Sequence, residues 1–94
     1  MHTINGKQVY TIQEAFAYAM AIGKGFSRDG LTFDENCQIG ISMNNGVLEH
    51  IWLHAVRKTF TGGDLYRVEI TASGIRTFVW PENSKKSGWQ PCEL

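Results

Sequence analysis

From Cys37 onward, residues that turn a backbone arrive at near-regular intervals: Asn44-Asn45-Gly46, Thr61-Gly62-Gly63-Asp64, Ala72-Ser73-Gly74 and Pro81-Glu82-Asn83-Ser84. Between them lie CQIGISM, VLEHIWLHAVRKTF, LYRVEIT and IRTFVW, and the last two alternate and are rich in β-branched and aromatic residues. Even punctuation of this kind predicts an antiparallel meander, because short connections join only antiparallel neighbours. A meander buries one face and needs something to cover it.

The cover comes from TIQEAFAYAMAIGKG. Thr11 and Glu14 form a T-x-x-E capping box, and Ile12, Ala15, Phe16, Ala19 and Met20 recur at helical spacing. Gly23 and Gly25 offer left-handed stop positions. Ahead of the helix, Asn5-Gly6 predicts a tight hairpin of His2–Ile4 against Lys7–Tyr10. Residues 26–36 read as a polar loop, and 84–94 as a polar tail that is either loosely ordered or docked through Trp89.

The fold class expected is therefore α+β: one amphipathic helix packed on a four-stranded antiparallel meander, with a short N-terminal hairpin or strand, in a single domain over 1–94. The expected core is Ile12, Ala15, Phe16, Ala19, Met20, Ile39, Ile41, Ile51, Leu53, Val68, Ile70 and Phe78.

One segment is ambiguous. Over Val47–Phe60, Leu48, Ile51, Trp52, Ala55 and Val56 also satisfy a helical period. The turn signals on both sides favour a strand, with Leu48, His50, Trp52, His54 and Val56 on one face and Val47, Glu49, Ile51, Leu53 and Ala55 on the other. EHIWLHAV, with its E-H-x-W-hydrophobic-x-x-V pattern, resembles a strand of a bacterial domain family of unknown function. That resemblance implies no activity.

His50 and His54 share a face in either reading. On a helix they would be one turn apart and within reach of one metal ion. On a strand their backbones stand about 13 Å apart with Trp52 between them, which argues against a shared ion. Glu49 precedes the first histidine, so this is not the HExxH arrangement in which a glutamate acts as base.

Other chemistry is sparse. GKGFSRDG lacks the phosphate-loop spacing and follows a helix where such a loop would precede one. A Cys–His–Asp set would need Cys37, Asp34 and a histidine, with a depressed thiol pKa that nothing nearby in sequence supplies. A single helix gives neither a helix-turn-helix nor an RNA-recognition sheet. The two cysteines, Cys37 and Cys92, fit no zinc or redox spacing and read as reduced thiols. With no apolar run after Met1, the expected location is cytoplasmic, with no membrane span. The nine basic and nine acidic residues balance, although residues 57–86 carry six basic against three acidic. Global charge gives no reason for strong nonspecific attraction to nucleic acid.

By elimination, the expectation is a non-enzymatic binding protein without cofactor or metal, working through a surface. In size, neutral balance and lack of catalytic motif it resembles the small accessory proteins of bacteriophages and mobile elements, anti-CRISPR proteins among them. That likeness implies steric occupation of a larger protein or ribonucleoprotein partner. The candidate surface is aromatic and basic: Trp52, His50, His54, Arg57, Lys58, Arg76 and Trp80, with Lys85, Lys86 and Trp89 of the tail as second choices. The alternative is single-stranded nucleic acid stacked on the same face. A homodimer joined through sheet edges is a further reading.

Overall fold

The computed structural model describes residues 1–59, 62–82 and 88–94. A two-stranded hairpin, β1 (His2–Ile4) and β2 (Lys7–Val9), leads into helix α1 (Ile12–Gly25). Strands β3 (Gln38–Asn44), β4 (Val47–Thr59), β5 (Gly62–Thr71), β6 (Gly74–Trp80) and β7 (Gln90–Pro91) follow as one antiparallel sheet in that order. The α+β meander holds, with a short fifth strand added from the tail and the hairpin forming a separate sheet. The ambiguous segment is a strand of 13 residues. At about 3.3 Å per residue it spans roughly 43 Å, and it sets the long axis of a molecule measuring 44 × 25 × 19 Å.

The local signals behave as chemistry requires. Asn5-Gly6 and Asn45-Gly46 both take positive φ at both positions, closing tight hairpins. Thr11 caps α1 by accepting from the Glu14 N–H at 3.1 Å, and Glu14 reaches back to the Tyr10 N–H at 2.9 Å. Gly23 and Gly25, however, are not stops. The helix runs through Gly25 and ends at Phe26 in right-handed geometry. Gly23 serves packing instead: a Cβ there would press on Leu53 at 3.0 Å, so glycine lets the helix lie close on β4. Of the TGGD signal, Gly62, Gly63 and Asp64 are not turn residues, because they already pair with β4, and Thr61 lies outside the described residues.

The core lies between α1 and the sheet. Ala15, Ala19, Ile51, Leu53, Val68 and Ile70 are buried as expected, and Phe16, Met20, Ile39 and Ile41 pack against them partly buried. Ile4, Val9, Leu31, Phe33 and Leu48 complete it. Leu31 and Phe33 come from the polar-looking 26–36 loop, folded inward by a tight Arg28–Leu31 turn and by Ser27 Oγ accepting from the Phe33 N–H at 2.8 Å. Each such side chain contributes about 1.5–3 kcal/mol by leaving water. Ile12 is only half-buried and stands outside this core. Phe78 is not in this core: it pairs with Arg67, on the opposite sheet face.

Leu48 shows why. The register steps at Ser42/Met43, so that Ser42 faces His50 while Met43 faces Leu48. Glu49 is the extra residue of a β-bulge. The bulge turns Leu48 into the core, 4% exposed, and leaves Val47 outside at 64%. Leu48 therefore does not share the His50–Trp52–His54 face.

Candidate functional site: the aromatic and ionic face

The far side of the sheet is assembled by register. His50, Trp52 and His54 pair with Thr71, Glu69 and Arg67, and those last two pair with Arg76 and Phe78. Alternation also brings Val56, Lys58, Leu65 and Trp80 to this side. Trp89, in the stretch before β7, reaches the same cluster. No second layer of described secondary structure lies on this face.

Arg67 organises it. Its Nε donates to Glu69 Oε2 at 3.1 Å and its Nη2 lies 3.0 Å from the same oxygen. Nη1 is 3.1 Å from His54 Nε2, and Nη2 is 3.3 Å from His50 Nε2. A guanidinium only donates, so each imidazole Nε2 must accept, which fixes the tautomers with the proton on Nδ1. Glu69 is 7% exposed and takes a second arginine, Arg76, on its other oxygen. The Arg67 guanidinium also stands over Trp52 at 5.4 Å and Trp89 at 5.7 Å.

The rings are interlocked as well. Trp52 stacks on His54 at 4.3 Å, His54 meets Trp89 at 4.8 Å, and Trp89 meets Trp80 edge-on at 5.5 Å. Trp52 lies across β3, and glycine at position 40 makes that passage: a Cβ there would overlap the six-membered ring. Trp52 is consequently half-buried, not the exposed aromatic that the sequence suggests. Burial, and then the charge of Arg67, hold the His54 pKa down from 6.5 to about 4.

Of the sequence candidates, this face unites His50, Trp52, His54, Lys58, Arg76, Trp80 and Trp89. Arg57 does not join them: it pairs with Asp64 between Val56 and Lys58, so it points to the helix side, where it is exposed. Lys85 and Lys86 lie outside the described residues. Arg67 and Glu69, the centre of the face, were not among the candidates. The two imidazoles lie on one strand, and what links them is the width of a guanidinium: Arg67 Nη1 reaches His54 and Nη2 reaches His50. A metal ion there would meet a positive charge already in place.

A groove at the start of β3 is lined by Asp34, Cys37 and His54 among others. Burial pushes the Cys37 thiol pKa up. Asp34 Oδ1 accepts from the Asn36 N–H at 2.9 Å, and His54 Nε2 is engaged by Arg67. The groove thus holds a protonated thiol beside a base whose lone pair is occupied, the reverse of an activated nucleophile. Among the described residues no three His, Cys, Asp or Glu side chains gather into a metal site, and no helix is long and apolar enough to cross a membrane.

The chain matches no protein-family model, no curated protein and no solved structure. The local likeness of EHIWLHAV to a domain family therefore brings no relative with it.

Proposed function

We propose that this protein is a non-enzymatic binding protein that docks a larger protein or ribonucleoprotein through its aromatic and ionic sheet face and acts by occupying it. One observation carries the reading. Among the described residues no layer of secondary structure covers the face, yet its rings are fixed in place by the Arg67–Glu69–histidine cluster, while Trp80 remains 39% exposed and the Arg76 side chain 62%. Tryptophan and arginine presented rigidly lose little entropy on binding, which is the composition of interface hot spots.

The same geometry favours a protein surface over a nucleic-acid strand. Base stacking needs free ring faces. Trp52, His54 and Trp89 spend theirs on one another and on Arg67, and the centre of the face is a carboxylate. Both arginines are tied to that carboxylate and so offer phosphates less net charge.

The test is a tagged pull-down from bacterial lysate with and without nuclease, alongside purified RNA-guided defence complexes as first partners to try. The expected result is a stoichiometric partner that survives nuclease and high salt. Trp80→Ala with Arg76→Ala should weaken it by roughly 30-fold or more. Loss of the partner on nuclease treatment, with steep salt dependence, would replace this reading with nucleic-acid binding.

A further inference from the structure

The two edges of the sheet are finished differently. At one, β6 is bordered by β7, a strand that ends in Pro91, and Cys92 donates to the Thr77 carbonyl at 3.1 Å. Proline on an edge refuses further pairing. At the other, β3 pairs with β4 on its inner side, and no described strand lies on its outer side. Its sequence, QIGISMN, has no charge and no proline. Natural edges usually carry such protection, so a bare one needs a partner.

We propose that this edge pairs with the same edge of a second copy of the chain, forming a two-fold dimer with one continuous sheet. The argument rests on self-complementarity. Beyond Ser42 the register with β4 is broken by the bulge at Glu49, and before Gln38 the chain folds back through the Asp34–Cys37 turn. The part in unbroken register is Gln38–Ser42, and its middle residue is Gly40. An antiparallel strand paired with itself about Gly40 sets Ile39 opposite Ile41 of the second copy, twice, and Gln38 opposite Ser42, twice. Apolar therefore meets apolar and polar meets polar at every position, as an isologous interface requires. Residue-centred pairing also satisfies the outward backbone groups whichever residues carry them.

Both faces gain from this register. On the helix side, Ile39 and Ile41 are only partly buried against the core, and the Ile–Ile pairs would finish covering them. On the other side, the Trp52 ring crosses Gly40 toward the free edge. The second copy brings its own ring across its own Gly40 from the opposite direction, so the two indoles meet over the axis. The dimer would join two aromatic and ionic faces into one.

Sedimentation equilibrium of the full chain from about 5 to about 500 µM is the first test. The expected mass at the upper end is twice the 10.6 kDa chain. Gln38→Lys with Ser42→Lys sets like charges opposite each other across the axis and should raise the dimer dissociation constant about tenfold or more. Gln38→Lys with Ser42→Glu makes the same two positions attractive and should restore the dimer. Circular dichroism melts establish that both variants fold. Should either fail to fold, hydrogen exchange on the unaltered chain decides: amides of Gln38–Ser42 should slow as concentration rises. A monomer throughout the range, a dimer indifferent to the paired lysines, or exchange at β3 independent of concentration would each overturn the proposal.

Discussion

On the helix side of the sheet, Ile51, Leu53, Val68 and Ile70 are each fully shielded from water and alike in kind, so what they need from the fold is volume and a lid. On the far side, Arg67 needs particular partners: two imidazole nitrogens, one carboxylate and two indole faces at set positions. The first face tolerates exchange among apolar residues of similar size. The second does not, because a buried ionic group that loses one partner keeps the desolvation cost without the compensation. The same strands thus carry a face specified by pattern and a face specified by register.

The largest break in this comparison lies on the helix side. Phe33 is wholly buried although it belongs to a loop. Phe33→Ala should lower unfolding stability by about 3–5 kcal/mol in urea titration. A cost below about 1 kcal/mol would mean that the loop is not part of the core. On the far side, Glu69→Gln leaves Arg67 without its counter-charge and should cost on the order of 3 kcal/mol. Arg67→Met combined with Glu69→Met removes both charges and should recover most of that loss. If the double variant is as unstable as the single one, the face depends on the shape of the arginine, not on its charge.

The helix side was legible because it follows from periods alone. The Thr11–Glu14 cap, the stripe from Ile12 to Met20 and the alternation of LYRVEIT locate it without any pairing information. Leu48 and Phe33 escaped because a one-residue bulge and a folded loop break the period. The far side needed the β4–β5 register. A turn centred on Gly62–Gly63 would set His54 opposite Thr71, whereas the actual pairing sets it opposite Arg67. A turn misplaced by two residues slides the pairing by four and hides the ionic cluster entirely. The usable signal was there in two matching alternations, His50-x-Trp52-x-His54 and Arg67-x-Glu69, which become one site once the hairpin is closed correctly.

The smallest effect separates the faces by pH. His54 is held neutral in the folded protein, with its pKa lowered from 6.5 to about 4 by burial and then by Arg67. In the unfolded chain the same ring titrates near its ordinary value of about 6.5. Between those values the unfolded state binds the extra proton, so folding stability is full above about pH 6.5 and falls as pH drops toward 4. Below that, both states are protonated and the slope from this group ends. The ring is half-buried and partly screened by water, which brings the total to about 1–2 kcal/mol. Protonation also puts a second positive charge against Arg67 and removes the Nε2 acceptor, so the loss concentrates on the far face while the helix side is indifferent. Urea midpoints measured from pH 7 to pH 4 should show this slope, and His54→Gln, which keeps an acceptor but cannot titrate, should flatten it. An unchanged slope in that variant would assign the pH dependence to the carboxylates and break the link between Arg67 and His54.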